Sequence, residues 1–338
     1  MTTKIIIAFA TVLIIAQAGT AQDHCKNLDV EKHHPDDPSI VLNGWDRSRF
    51  GNQLFTFAML LELQRTTKMQ VYLHSTSYQI LKDFFTEDSL KVIPLFNDTF
   101  CNAKDLEMYT HFTHFNGHFT ELVRNPDLHT GKILQIYQKG LHMEEHEGHE
   151  LKDLIANCGQ YVKNHMHFKP HIVKKVKETL EELKKKRGKM TLIAVHVRRT
   201  DHLKYMKEEF QRKPLKAHHF NDAMDYFREE YPDSYFIVAS DDIKWAKKKL
   251  VSINDDVYFS DVKPSFKVDE EGIFRDKDID KAVYDFVLLT SCQHAVVSRG
   301  SFTLWVATLT GGEYYTEHGV VIPNHMLDAL EKKRRKSI

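Results

Sequence analysis

The chain has no excess charge of either sign, because its 338 residues contain 47 Lys and Arg against 47 Asp and Glu. A protein without a net field has no general attraction for nucleic acid, so an anionic ligand must be met by local positive groups. The composition is that of a globular protein, and no internal repeat or low-complexity segment interrupts it. The length is sufficient for two ordinary domains, each with its own core.

Metal-binding patterns are also missing from the sequence. Histidine is abundant, but clusters such as His111, His114 and His118 lack the accompanying cysteine or glutamate of a zinc site. The adjacent acidic pairs at 241–242 and 255–256 do not form a DxD-like motif in a metal-binding context. We therefore expect neither a metal ion nor a cofactor.

Long uncharged apolar runs are confined to the N-terminus. Residues 5–16 form an apolar run after Lys4, and no charged residue follows until Asp23. The run is shorter than the roughly 20 residues that comfortably span a bilayer, and small-residue cleavage sites follow it. We expect residues 1–22 to be a secretory signal, either cleaved or kept as a membrane anchor, so that the rest of the chain faces a lumen or the outside.

The few cysteines fit an oxidising compartment. Cys25, Cys101, Cys158 and Cys292 allow three disulfide pairings, among which the sequence does not choose. The sequon at 97–99 (NDT) predicts glycosylation of Asn97 in a surface loop.

Predicted strands and helices alternate along the chain, which favours parallel sheets covered by helices on both faces. A weakly marked boundary near residues 184–189 separates two series of alternating strands and helices. We therefore expect an N-terminal domain over 23–188 and a C-terminal domain over 189–338. Ligands should lie beyond the carboxyl ends of the strands, in a cleft between the two halves. The principal predicted strands cover residues 39–42, 69–73, 191–197, 235–239 and 294–297.

Two adjacent arginines, Arg198 and Arg199, follow the predicted strand 191–197. Side chains alternate along a strand, so His196 and Arg198 should share one face while Arg199 points to the other. One arginine could then serve an anionic ligand while the other ties down the loop, for example through Asp201. The alternative is that both arginines form structural ion pairs with Asp201 and other carboxylates.

At three further places, polar residues lie where a predicted strand or loop passes into a helix. Residues 297–302 (VSRGSF) pass through a glycine turn, which leaves free N–H groups for a phosphate or simply makes a capped helix. Residues 240–242 (SDD) could bind a nucleotide or act as an ordinary N-cap, and 49–53 (RFGNQ) form a predicted glycine turn. Together these ends suggest a nucleotide-sugar site in which arginine and helix amides neutralise the diphosphate.

Four ordered motifs resemble those of the α1,2-fucosyltransferase family, which is glycosyltransferase family 11-like and GDP-fucose dependent. Residues 45–58 (WDRSRFGNQLFTFA) resemble the family's GRLGNQ opening, and 196–201 (HVRRTD) match its HxRRxD motif. Residues 240–245 (SDDIKW) are similar to the SDD…W segment, and 285–305 contain the family's final aspartate and Ser-Phe-x-x-Trp turn. The HxRRxD motif is shared with other fucosyltransferases, whereas the opening and closing motifs are specific.

The resemblance implies an α/β, GT-B-like fold with two Rossmann-like domains facing across a cleft. It implies metal-independent, inverting transfer of fucose from GDP-fucose. Its implied catalytic residues are His196, Arg198 and Asp201. Its implied donor-binding residues are Arg198, Arg199, Asp241, Asp285, Ser301 and Phe302. Its implied acceptor-side residues are Arg49, Gly51, Asn52 and Gln53.

The family acceptor is the 2-hydroxyl of a galactose on a glycan, and its members are usually Golgi type II membrane proteins. We expect the same partners, no nucleic acid, and contact with a membrane only through residues 1–22. Ser48, Phe50 and Arg299 depart from the family pattern, which affects the choice of acceptor rather than the donor site. The competing hypotheses are a secreted, catalytically inactive homologue that binds glycans or nucleotide sugars, and a fucosyltransferase of another linkage.

Overall fold

The computed structural model describes residues 36–43, 49–96, 112–115, 130–136, 161–261 and 279–323, with single positions at 122, 124, 125, 127 and 159. The predicted signal at 1–22, the sequon at Asn97 and three of the four cysteines lie outside these residues. Within them, no helix is both long enough and apolar enough to cross a membrane. The chain divides into two compact units, Met1–Met166 and His167–Ile338.

The first unit is built on a five-stranded parallel sheet. Its strands are β1 (Ile40–Asn43), β2 (Gln70–His74), β3 (Leu95–Phe96), β4 (Phe112–Phe115) and β5 (Ile133–Ile136), in the spatial order β3-β2-β1-β5-β4. Its helices are α1 (Phe50–Thr66), α2 (Ser75–Leu81) and α3 (Glu87–Leu90). Helix α1 is mostly apolar and, apart from Asn52, is buried from Phe50 to Leu63. Such a helix forms the centre of a core rather than its cover.

The second unit is built on a six-stranded sheet, in which β10 and β11 alone pair antiparallel. Its strands are β6 (Thr191–Val197), β7 (Ser234–Ser240), β8 (Val257–Phe259), β9 (His294–Val296), β10 (Tyr314–Thr316) and β11 (Gly319–Val321). Its helices are α4 (Pro170–Arg187), α5 (Thr200–Phe210), α6 (Ala217–Glu230), α7 (Ile243–Lys249), α8 (Ile279–Thr290) and α9 (Ser301–Thr310).

Strand β6 lies at the centre of the second sheet, whose order is β11-β10-β9-β6-β7-β8. Its residues from Ile193 to Val197 are all buried, as expected of a parallel strand covered on both faces. The chain runs outward from β6 through β7 to β8 and then returns to the other side at β9. The carboxyl ends of β6 and β9 therefore flank the topological switch point, where open α/β sheets bind ligands.

The prediction of an α/β chain with two Rossmann-like units, as in a GT-B-like protein, is confirmed, while the cleft between them stays a prediction. The predicted domain boundary at 188/189 is placed too late, because the structure divides the chain after Met166. Helix α4 belongs to the second unit, where it packs against α8. The hydroxyl groups of Thr179 on α4 and Tyr284 on α8 are 2.7 Å apart.

The cysteine prediction also needs a correction. Cys292 is a buried free thiol just beyond α8, so the expectation that all four cysteines pair is wrong. Burial raises the pKa of this thiol, and its Sγ lies 3.7 Å from the carbonyl oxygen of Leu288. A thiol in this position is an inert part of the core.

Candidate active site

Arg198 directly follows β6 at the topological switch point. Its Nη2 donates to Asp201 Oδ1 at 2.6 Å, and its Nη1 donates to Asp241. Its side chain is only 20% exposed. A guanidinium in such a place needs compensating carboxylates, and these two hold it in one geometry. Five N–H donors leave Arg198 with further donors for a ligand.

Asp241, which follows β7, connects three groups at the start of α5. Besides Arg198, it accepts hydrogen bonds from the backbone N–H of Arg199, at 2.8 Å, and from the hydroxyl of Thr200. One residue earlier, Ser240 Oγ donates to the carbonyl oxygen of Val197 at 2.7 Å. The ends of β6 and β7 are therefore joined by side chains as well as by the sheet.

Arg199 diverges from Arg198, as side-chain alternation predicts. Its guanidinium carbon lies 3.9 Å from the ring centre of Trp245, and its Nε lies 3.7 Å from the carboxylate of Asp242. Asp242 also caps α7 by accepting the backbone N–H of Trp245 at 3.1 Å. The hypothesis of a structural ion pair describes the placement of Arg199 well.

His196 is buried in β6, and its ring centre lies 4.7 Å from that of Phe302. Its Nδ1 is 3.5 Å from Ser298 Oγ. Burial, and to a lesser degree the nearby charge of Arg198, lowers the pKa of His196 to about 3. His196 is therefore neutral at physiological pH and a weak base.

A glycine turn connects β9 to α9. Gly300 has a φ of 113°, a backbone conformation that favours glycine, and Ser301 begins the helix as predicted. The preceding Arg299 donates from Nε to Glu317 Oε1 and from Nη1 to the carbonyl oxygen of Lys213, each at 2.8 Å. The cation that departs from the family pattern thus engages the β10–β11 hairpin and the loop after α5.

Asp285 lies buried on α8. Its Oδ1 accepts from the hydroxyl of Ser260 at 2.6 Å, and Oδ2 pairs with Lys281. Burial raises the pKa of Asp285, and Lys281 opposes this shift. The next residue, Phe286, contacts Phe302 edge to face with ring centres 5.0 Å apart, so Asp285 and Phe302 lie on neighbouring helices.

The family model of glycosyl transferase family 11 matches residues 12–336. The chain belongs to glycosyl transferase family 11. Galactoside alpha-(1,2)-fucosyltransferase 1 of Sus scrofa is 24% identical over 305 residues, covering 89% of this chain and 74% of that protein. The Bos taurus protein of the same name is 25% identical over 308 residues, covering 89% and 75%.

Two solved structures are similar to this family 11 chain at low identity. Fucosyltransferase NodZ from Bradyrhizobium has 13% identity and a TM-score of 0.46, covering 85% of this chain and 98% of that one. A mutant of Arabidopsis thaliana FUT1 in complex with GDP has 14% identity and a TM-score of 0.48, covering 87% and 73%.

The predicted acceptor-side residues of this family 11 chain lie at the start of α1 in the first unit. The prediction of a glycine turn there is wrong, because Gly51 lies inside the first turn of a helix that begins at Phe50. Arg49 is the N-cap residue, and its carbonyl oxygen accepts the N–H of Asn52 at 3.0 Å. Gln53 is buried. The apolar residues that follow Gly51 favour a continuous buried helix over a loop.

Sequence reasoning missed four residues of the site in the second unit. Ser260 and Lys281 engage Asp285, Thr200 contacts Asp241, and His202 lies beside the glycine turn. The spacing of Lys281 and Asp285, four residues apart on a helix, is a signal that could have found one of them. Ser260 could not be identified from the sequence, because its contact with Asp285 depends on how the end of β8 lies beside α8.

Proposed function

We propose that this chain is a galactoside α1,2-fucosyltransferase, which transfers L-fucose from GDP-fucose to the 2-hydroxyl of a galactose on a glycan. The reaction inverts the anomeric carbon and requires no metal ion. Membership of family 11 and the names of the pig and cattle relatives support this proposal. The structural observation that carries it is Arg198, a rigidly held cation at the topological switch point.

Arg198 would bind the diphosphate of the donor. Negative charge grows on the departing GDP in the transition state of an inverting displacement, and a fixed guanidinium stabilises that charge without reorganising. The glycine turn supports the same role, since the first backbone amides of α9 begin at Ser301, beside Ser298 and Phe302. Helix amides and an arginine at adjoining strand ends are suited to a diphosphate.

Asp201 is our candidate for the general base. Asp201 is paired with Arg198, and its side chain is 55% exposed while that of Asp241 is 21% exposed. Asp241 holds the N–H of Arg199 and the hydroxyl of Thr200, so we assign it to supporting the strand ends. The more accessible carboxylate of Asp201 could accept the proton of the galactose 2-hydroxyl.

His196 suits this role less well. Its pKa of about 3 makes it a poor proton acceptor, and its ring packs against Phe302 inside the unit. We assign it instead to fixing the end of β6. Within the HxRRxD motif, we therefore assign structural roles to His196 and Arg199, and roles in the reaction to Arg198 and Asp201.

The nucleotide would lie along the carboxyl edge of the second sheet. Phe302 offers an aromatic ring beside His196 of β6, and Asp285 holds α8 to the end of β8 through Ser260. We also propose that the enzyme acts in the lumen of the Golgi. Residues 1–22 would either anchor it as a type II membrane protein or be cleaved to release it.

Transfer of labelled fucose from GDP-fucose to β-galactosides, with EDTA present, tests this function. We expect wild type to form an α1,2 linkage, identified by NMR of the product, and Arg198→Ala to lower the rate by about 10²–10³-fold. Arg187→Ala is a matched control, because this arginine contacts Asn254 and Asp255 before β8, at the opposite edge of the same sheet. Its rate should equal that of wild type.

Other outcomes would identify the competing hypotheses. A folded wild-type protein that binds GDP without transferring fucose to any β-galactoside would be the inactive homologue. Transfer to a different hydroxyl would indicate another linkage, and loss of transfer on adding EDTA would contradict metal independence. An Arg198→Ala protein with the wild-type melting temperature and the wild-type rate would exclude the role given to Arg198.

A further inference from the structure

A small cavity of about 20 Å³ opens beside Arg198 at the switch point. Leu203, Met206, Pro214 and Leu215 form its apolar wall, and Arg198, His202, Ser298 and Arg299 form its polar wall. This volume accommodates one water-sized group, such as a single hydroxyl. The cavity is therefore too small for a sugar ring and large enough for one substituent of a ring.

His202 carries an unsatisfied polar atom at this cavity. Its Nε2 is buried and has no hydrogen-bond partner among the described residues. Burial and the charge of Arg198 lower the pKa of His202, so the ring is neutral at physiological pH. A buried ring nitrogen without a partner loses free energy that a ligand hydroxyl would restore.

Tyr205 lies one helical turn after His202 on α5, with its ring centre 6.2 Å from the histidine ring. Its side chain is 48% exposed, and it is the aromatic member of the exposed large apolar residues in the described part of the chain. The other exposed members are Val92, Val173, Val251 and Ile253. Residues three and four apart share a helix face, so Tyr205 also neighbours Asp201.

We propose that Tyr205 and His202 form an acceptor subsite for the pyranose ring of a neutral β-galactoside. The C–H face of the ring packs on Tyr205, and one ring substituent enters the cavity and forms a hydrogen bond with His202 Nε2. This inference rests on the proposed function, because it places the acceptor beside the Asp201 that would deprotonate it.

The chemistry of the subsite fits a neutral sugar better than the donor diphosphate. A tyrosine ring offers a large, rigid apolar surface whose ordering costs little conformational entropy. A neutral histidine can donate or accept a hydrogen bond but supplies no charge. Arg198 and Arg299 also line the cavity, but carboxylates pair with both guanidinium groups, which offsets their charge beside the neutral His202.

Steady-state kinetics with GDP-fucose and a β-galactoside test the subsite. We expect Tyr205→Ala to raise the acceptor KM by about tenfold, the loss of one aromatic contact, with little change in the KM of GDP-fucose. Tyr205→Phe and Tyr205→Trp keep the ring and should stay close to wild type. His202→Ala should also raise the acceptor KM, and His202→Gln, which keeps a hydrogen-bonding group, should raise it less.

Lys207→Ala is the matched control, because Lys207 is an exposed residue of the same helix. Unchanged acceptor KM in Tyr205→Ala would overturn the inference, and so would a rise in the KM of GDP-fucose alone, which would assign the ring to the donor. Saturation-transfer NMR with a β-galactoside and GDP separates the two proposals. Binding that wild type shows and Tyr205→Ala loses would support the subsite even without transfer, whereas absence of binding to wild type would overturn it.

Discussion

The two parallel sheets carry different chemistry at their carboxyl edges. In the first unit, Asn43 ends β1, donates to Ser77 Oγ at 3.0 Å and accepts the N–H of His74 at 2.5 Å. All three residues are buried at this edge, and the side chains of Asn43 and Ser77 carry no charge. In the second unit, Arg198 and Asp241 occupy the corresponding strand ends with full charges and partial exposure.

This difference shows that a shared sheet architecture does not fix where the reactive chemistry lies. Buried neutral groups that satisfy one another, as Asn43 and Ser77 do, stabilise a strand end. Charged groups held at the surface keep spare donors and acceptors, which a diphosphate and a transferred proton require. The second unit therefore provides the ionic part of the proposed reaction.

The largest expected effect comes from removing a charge at the second edge. Asp201→Asn should lower kcat by about 10²-fold or more, because the amide cannot accept the galactose proton. Its affinity for GDP should equal or exceed that of wild type, since a carboxylate that competes for Arg198 is gone. Transfer kinetics and calorimetric titration with GDP measure the two quantities.

Asp241→Asn is the contrasting variant for this prediction. It weakens the support of Arg198, Thr200 and the N–H of Arg199 together, so it should reduce GDP affinity as well as kcat. If Asp201→Asn keeps its wild-type kcat, Asp201 is not the base. Equal losses of GDP affinity in both variants would mean that the two carboxylates act as one structural pair.

A smaller effect is expected from adding a charge at the first edge. Asn43→Asp places a carboxylate in a buried neutral site, which should lower the free energy of unfolding by about 1–3 kcal/mol at neutral pH. Burial would raise the pKa of this Asp above its unfolded value, so the penalty applies above that value and is relieved as the pH falls. Thermal unfolding at neutral and acidic pH measures this trend.

Asn43→Ala separates charge from lost hydrogen bonds. It also leaves Ser77 and the N–H of His74 without this partner, but it introduces no titrating group. Its deficit should therefore stay constant with pH, relative to wild type. An Asn43→Asp protein whose deficit is equally constant would contradict the contrast drawn between the two edges.

Local periodicity predicted much of the second unit. The apolar run of β6 indicated a buried strand, and Arg198 and Arg199, which follow it, have the different partners expected of them. What the sequence did not reveal is the partner of each charge. The contact between Arg198 and Asp241 joins residues 43 positions apart, and it depends on β6 and β7 being neighbours in the sheet.

Errors in the sequence-based predictions arose where local and tertiary signals compete. Gly51 suggested a turn, but the apolar residues around it are buried as one helix, and burial outweighs the weak helix propensity of a single glycine. The predicted boundary at 188/189 assigned the charged helix α4 to the first domain. Its few apolar positions, including Ile172, Val176 and Leu183, are nevertheless buried and attach it to the second unit.

The smallest expected effect concerns the ion pair between Arg299 and Glu317 in the second unit. Side-chain hydrogen bonding to Arg299 lowers the pKa of Glu317, so this pair stabilises the fold fully above the ordinary glutamate pKa and is lost as the pH falls through the lowered value. Glu317→Gln should lower the unfolding free energy by about 1 kcal/mol at neutral pH, a modest value for a partly exposed pair. The unfolding free energies of wild type and variant should converge in strongly acidic buffer, as followed by thermal unfolding.

Charge reversal tests the contact itself. The double variant Arg299→Glu with Glu317→Arg should recover part of the stability lost in Arg299→Glu alone. Without such recovery, the contact between these two side chains is not the source of the stability. Both deficits shrink as the pH falls, but for opposite reasons, because Glu317→Gln removes a stabilising charge from the second unit while Asn43→Asp adds a destabilising charge to the first.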